Sequence, residues 1–348
     1  MSSITLTAGA AVLSFLIALL AGKILIPILH KIKYGQPIKD IGPVWHKKKQ
    51  GTPTMGGLLF IPAVVLAGGG CLLLYNYFGQ QNLLHGALAQ GIGDTYLQKT
   101  RLWGGIILSL GCAFLGFVDD YIKVVKKNNN GLSARQKLIM QILLGLGFGL
   151  ALYLADDTIL RIPFIGEFDL GIFYIPLTAF IVVATTNAVN LTDGVDGLCG
   201  SVTLVYALFF MFISSYLGKT MGTDSVSFIA GAVAGAMLGF LVYNFFPAKV
   251  FMGDTGSMFL GGMVCTMAFG VGLPILILPA GIIYFAETLS VLIQTTYFKL
   301  TKGKRIFKMT PIHHSFEMSG WHEVKIVAVF SLVTCVGGFA AFLLVCFG

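Results

Sequence analysis

Residues 187–197 read NAVNLTDGVDG. The segment holds two amides (Asn187, Asn190), two carboxylates (Asp193, Asp196) and two glycines (Gly194, Gly197), with an apolar run of membrane-spanning length on each side. Ionisable groups next to such runs are costly and tend to mark function. Two further stretches share the character: Asp119 and Asp120 in FVDDY (117–121), and Asp254 in FMGDTGS (251–257). If all three end on one membrane face, they make one site for a metal and a phosphate.

The surrounding composition requires lipid as solvent. The chain has 348 residues, 56% of them hydrophobic and only 11% charged, with mean hydropathy +0.85, whereas soluble domains carry about 25% charged residues. Several apolar runs exceed the roughly 18–20 residues needed to cross a bilayer. The first, from Ile4, has no basic segment before it and reads as a true span, not a cleaved signal peptide. A net charge of +8 in such a chain reports topology, not a nucleic-acid partner. Cys71, Cys112, Cys199, Cys265, Cys335 and Cys346 lie in or beside apolar runs without CxxC spacing, so they read as small buried hydrophobes and not as a disulfide framework or zinc site.

The pattern predicts an all-α integral membrane protein, one polytopic domain over 1–348. Its ten spans run roughly over 5–29, 55–77, 101–118, 136–155, 173–191, 198–217, 226–246, 256–272, 274–299 and 325–347. Of the 23 lysines and arginines, only Lys99, Arg101, Arg161 and Lys219 fall in loops after even-numbered spans, and Lys23 lies in the first span. The others, including Lys33, Lys39, Lys47, Lys48, Lys49, Lys126 and Lys127, follow odd-numbered spans. The positive-inside rule then makes the odd loops cytoplasmic and puts both termini outside. The outer segment Asp156–Gly171 reads as a short hairpin. Gly231, Gly235 and Gly239 form a small-xxx-small face, which packs helices within one chain or between two copies, so a homodimer is one reading of it. Pro274 and Pro279 should tilt or kink the ninth span. Glu287, near its middle, is either a satisfied interhelical contact or the wall of a wet groove.

Sorted by side, Asp119, Asp120, Asp193, Asp196 and Asp254 all fall in cytoplasmic connections, with His313 and His314 in the last one. Carboxylates gathered beside basic residues suggest a bound cation, and such oxygen ligands suit Mg²⁺ or Mn²⁺. Adjacent helical side chains point about 100° apart, so Asp119 and Asp120 should not grip an ion alike. The pair closes the third span, and the repulsion between the two carboxyls favours a general base, the alternative being a solvated helix end. Asp193, Asp196 and Asp254 could instead serve as helix N-caps. Gly194, Gly197, Gly253 and Gly256 would let a ligand approach the backbone. Lys49 in KKKQGTPTMGG and Lys123 in DDYIK are either topology signals or diphosphate ligands. His313 and His314 are either ordinary loop histidines or groups that bind phosphate or move a proton.

GTPTMGG, FVDDYIKV, NAVNLTDGVDGL, VFMGDTGSM and PIHHSFE, in this order from residue 51 to 317, resemble the cytoplasmic motifs of the polyprenyl-phosphate N-acetylhexosamine-1-phosphate transferases, and of their phospho-N-acetylmuramoyl-pentapeptide branch most closely. The resemblance covers essentially the whole chain. It implies a ten-span fold with a cytoplasmic cleft in the bacterial inner membrane. It also implies Mg²⁺-dependent transfer of phospho-MurNAc-pentapeptide from UDP-MurNAc-pentapeptide to undecaprenyl phosphate, giving lipid I and UMP. Carried onto this sequence, Asp254 matches the magnesium aspartate, Asp119 and Asp120 the catalytic acidic pair, and His313 the catalytic histidine. His314 matches a substrate-binding neighbour. Asn190, Asp193, Asp196, Phe251 and Gly253 match the nucleoside-side pocket, and Lys49 and Lys123 match basic substrate contacts. The family's third histidine is Ser315 here, which removes any role for a third imidazole.

The sequence admits two rival readings. A sister transferase would move phospho-GlcNAc; the paired histidines and the following SGW favour the muramoyl branch. An ion-coupled transporter would place its acids near mid-membrane in repeated halves, whereas here only Glu287 is deep and no internal repeat is seen.

Overall fold

The computed structural model describes residues 3–31, 49, 51–84, 95–125 and 131–348. The apolar runs fold as helices: α1 (Ser3–Lys31), α2 (Gly57–Leu84), α3 (Tyr96–Val125), α4 (Ala134–Leu154), α5 (Tyr174–Thr192), α6 (Leu198–Met221), α7 (Val226–Asn244), α8 (Gly253–Gly270), α9 (Ile277–Ala280), α10 (Ile282–Leu300), α11 (Ile312–Glu317) and α12 (Glu323–Phe347). A helix satisfies its backbone polar groups within itself, which hydrocarbon demands. Between α4 and α5, β1 (Ile159–Ile162) and β2 (Gly166–Asp169) form the expected antiparallel hairpin. It precedes α5 and the TDGVD segment follows it, so the two lie about 28 Å apart at roughly 1.5 Å per residue.

Among the described residues, eight helices are long and apolar enough to cross a membrane, and a ninth crossing results if the bent pair α9–α10 counts as one. The bend, 79° at a break next to Gly281, lies where Pro274 and Pro279 were expected to deform the ninth span. The eighth expected span, 256–272, falls on α8, which is not among the helices apolar enough to cross. Every residue from Thr255 to Gly270 is buried, and α8 packs against α2, α3, α5, α6 and α7. A helix walled by protein has no lipid-facing side to keep apolar, so hydropathy is a poor guide to it. Of the basic residues that carried the topology argument, Lys33, Lys39, Lys47, Lys48, Lys126 and Lys127 lie outside the described residues.

Two glycine seams set the spacing of the bundle. A Cβ on Gly116 of α3 would overlap the Asp254 carbonyl of α8, and one on Gly262 of α8 would come within 2.6 Å of Ser109 Cα on α3. These helices therefore touch backbone to backbone, which draws the acids of FVDDY against Asp254. The second seam answers the question raised by Gly231, Gly235 and Gly239. They lie against the carbonyls of Thr7, Ala11 and Phe15 on α1, so that face is consumed inside the chain and provides no support for a homodimer.

Candidate active site

Asp119 and Asp120 lie within α3, not at its end, because the helix continues to Val125. Their directions diverge as the helical geometry requires. Asp120 turns to the start of α8, where Oδ1 accepts from the Asp254 N–H at 3.3 Å and Oδ2 from the Thr255 N–H at 2.9 Å and hydroxyl at 2.7 Å. It thus satisfies free donors at a helix N-terminus. Asp119 turns the other way: Oδ1 accepts from the Leu132 N–H at 2.7 Å, and Oδ2 meets Lys123 Nζ at 2.6 Å and Lys137 Nζ at 2.8 Å.

Asp254 closes the cluster. Its Oδ2 lies 3.1 Å from Lys123 Nζ and 2.7 Å from Lys137 Nζ, and Oδ1 accepts from Asn190 Nδ2 at 3.1 Å. Asn190 also donates to Ser257 Oγ at 2.8 Å. Burial alone would raise the Asp254 pKa, but contact with Asp119 and the ammoniums of Lys123 and Lys137 hold the carboxyl below the usual carboxylate range. One oxygen each from Asp119, Asp120 and Asp254 lie within 4.8 Å of one another. The all-oxygen set suits a hard divalent ion, and the two ammoniums bridging Asp119 and Asp254 show that the cluster needs cationic charge.

The cluster adjoins a cavity of about 220 Å³ lined by Lys49, Thr54, Asp193, Gly194, Val195, Asp196, Asn244, Phe251, Gly253 and Asp254. Its walls come from distant stretches zipped together: Phe251 N–H donates to the Pro53 carbonyl at 2.8 Å, and Gly56 N–H to the Phe251 carbonyl at 2.8 Å. Asp193, half-buried on this wall, has its carboxyl pushed up to about 8 by burial and by the charges of Asp254, Asp120 and Asp196. A second cleft of about 640 Å³ shares Lys49 and Asp196 with the first and adds Phe246, Trp321, His322 and Glu323.

Five expected residues therefore meet at the acidic cluster: Asp119, Asp120, Asp254, Lys123 and Asn190. Asp193, Asp196, Phe251, Gly253 and Lys49 line the adjoining cavity. Lys49 does not reach the acidic trio, since its Nζ bonds to Asp196 Oδ1 at 2.8 Å and Glu323 Oε2 at 2.7 Å. His313 is fully buried behind Gly194, and His314 pairs with Glu317 at 2.6 Å. The capping alternative is not used. Gly197, at φ +80, starts α6 without a side-chain cap, Asp193 follows the end of α5, and Asp254 sits inside the first turn of α8. Gly194 and Gly253 line the cavity and are also packed by protein on their Cβ sides: a Cβ on Gly194 would meet the His313 ring, and one on Gly253 would lie 2.7 Å from Asp120 Oδ2.

Among the participants not singled out in the sequence are Lys137, Thr255 and Glu323. Of these three, Thr255 carried a signal, as the residue after Asp254 in a motif. Lys137 read as one more basic loop residue, although the Ser133–Gln136 capping box that starts α4 fixes where it stands.

A family model described as Glycosyl transferase family 4 matches residues 102–272. A model described as Phospho-N-acetylmuramoyl-pentapeptide-transferase signature 1 matches residues 49–61. Proteins named phospho-N-acetylmuramoyl-pentapeptide-transferase are similar over nearly the full length. The one from Clostridium botulinum (strain Alaska E43 / Type E3) is 44% identical over 339 residues, covering 96% of this chain and 95% of its own. That from Clostridium perfringens (strain SM101 / Type A) is 45% identical over 334 residues, covering 96% and 95%. That from Acetivibrio thermocellus is 42% identical over 337 residues, covering 95% and 93%.

Proposed function

The chain belongs to the phospho-N-acetylmuramoyl-pentapeptide-transferase family, and from that premise we propose that it transfers phospho-MurNAc-pentapeptide from UDP-MurNAc-pentapeptide to undecaprenyl phosphate, forming lipid I and UMP. The observation that carries this reading is the convergence of Asp119, Asp120 and Asp254 within 4.8 Å, against two ammoniums and beside the cavity of about 220 Å³. The enzyme works in the bacterial inner membrane, crosses it ten times with both termini outside, and opens its cleft to the cytoplasm. The bias of basic residues toward odd-numbered loops supports that orientation.

Asp254, with Asp119 and Asp120 beside it, would hold Mg²⁺. The ion, when bound, supplies charge neutralisation on the donor diphosphate. Lys123 and Lys137 hold and orient phosphate oxygens once released from the carboxylates they now bridge. Asp193, Asp196, Asn190, Phe251 and Gly253 form the nucleoside side of the site, with Lys49 and His314 as further substrate contacts and His313 as a catalytic imidazole. Asp119 deprotonates or orients the lipid phosphate. An oxygen of that phosphate attacks the phosphorus bearing the sugar, the bond to the bridging oxygen breaks, and UMP leaves with that oxygen. In the two-step alternative, a carboxylate oxygen of Asp119 attacks that phosphorus and UMP leaves, and an oxygen of the lipid phosphate then attacks the aspartyl phosphate and releases the Asp119 carboxylate.

The test is UMP release by purified protein in detergent with undecaprenyl phosphate, with and without Mg²⁺, repeated with Asp254→Ala. Turnover is expected to fall by at least about 10²-fold in both deficient cases, the scale of losing a preorganised charge stabiliser. Full activity of the variant would move the metal elsewhere. Preference for UDP-GlcNAc over UDP-MurNAc-pentapeptide would reassign the donor.

A further inference from the structure

Glu287 lies fully buried on α10, and the reaction just described does not use it. A buried carboxylate requires polar partners, and the side chain that faces it is the His313 imidazole. Oε1 is 3.0 Å from His313 Nδ1, and Oε2 accepts from the His313 backbone N–H at 3.4 Å. The side-chain pair is within ion-pair distance but lacks the alignment of a full hydrogen bond. The far edge of the imidazole faces the TDGVD segment. Nε2 abuts Gly194, where any side chain would overlap the ring, and it has no hydrogen-bond partner among the described residues. Gly194 itself lines the 220 Å³ cavity.

We infer that Glu287 is a positioning residue for His313, a carboxylate behind the ring that keeps the proton on Nδ1 and turns Nε2, as an acceptor, toward the floor of the substrate cavity. A carboxylate placed behind an imidazole selects its tautomer and orientation without touching substrate. α10 begins at the bend beside Gly281 and packs against α11, the short helix that carries His313. The second pair, His314 with Glu317, stands beside it, with the two imidazole rings 4.2 Å apart. The inference rests on the transferase reading for what meets Nε2, but the tautomer is a property of the protein alone.

The test uses full-length protein labelled with ¹⁵N-histidine, the His313 signals being assigned by difference against His313→Ala. The wild type is expected to show a proton on Nδ1 and none on Nε2, and Glu287→Leu to shift the population toward Nε2–H. A proton on Nε2 in the wild type overturns the inference, whether or not any variant folds. In turnover, Glu287→Leu should lower kcat for UMP release by at least about 10²-fold with KM for the nucleotide sugar nearly unchanged. In a His313→Ala background it should cost nothing further, whereas additive losses mean that Glu287 acts elsewhere. Absence of UMP release from the wild type would sink the transferase reading alone and leave the tautomer measurement standing.

Discussion

Asp193 carries the clearest pH signature outside the spans. Its carboxyl is pushed up to about 8 by burial and by Asp254, Asp120 and Asp196, far above the roughly 3.9 of an unfolded aspartate. Between those values the folded chain binds the proton that the unfolded chain has lost. The stabilising term is therefore fully present below the unfolded pKa and lost as pH rises through about 8. Thermal unfolding in detergent with chelator should show stability declining from pH 5 to pH 8, and Asp193→Asn should flatten the decline. Lys137 makes a second expectation. It bridges Asp119 and Asp254, so Lys137→Met leaves three close carboxylates with one ammonium. Its melting temperature without divalent ion should fall, and added Mg²⁺ should recover more of it than in the wild type. Turnover should drop by about 10²-fold. Sequence pointed to Asp193 through its motif, whereas Lys137 was indistinguishable from lysines that only set topology. The difference is that ion pairs join residues 117 and 18 positions apart.

At the scale of elements, the seam between α3 and α8 assembles the acidic trio. Gly116 sits against the Asp254 carbonyl, so Gly116→Val must push α8 away. Overpacking of this kind costs about 1–3 kcal/mol, which the chain should survive as measured by unfolding. Apparent Mg²⁺ affinity in UMP release should weaken by at least about tenfold, since the displacement acts directly on Asp254; unchanged affinity would mean the cluster adjusts freely. The glycines of α7 work differently. They were legible as a packing face, but not whose, and α1 supplies the partner. For α8 the sequence suggested a span among spans. Its buried polar and small residues make sense only once α2, α3, α5, α6 and α7 surround it.

For the whole molecule, the far end of the bundle holds the contrast to the site. Arg101 on α3 and Asp157 after α4 form a buried bidentate pair, Nε to Oδ2 at 2.6 Å and Nη2 to Oδ1 at 2.7 Å. Asp157→Ala strands the guanidinium and should cost about 3–5 kcal/mol of stability. Because the pair stands near the hairpin end, KM for both substrates should stay unchanged at temperatures where the variant is folded. A shift in KM would mean that the two ends communicate through α3.

What the sequence determined by itself was what sums locally along a chain. Apolarity made it a helical membrane protein, two prolines placed the break before α10, the Asp156–Gly171 segment made a hairpin, and ordered motifs identified the family. Only the tertiary structure decided which charges meet. It turned Asp119 to lysines and Asp120 to the start of α8, gave Lys49 to Glu323 some 274 residues away, closed the α7 face on α1, and set Glu287 behind His313. Hydropathy and helix propensity are properties of neighbours in sequence, but an ion pair is a property of neighbours in space. In a bundle whose helices touch through glycines, that neighbourhood exists only after the backbones have packed.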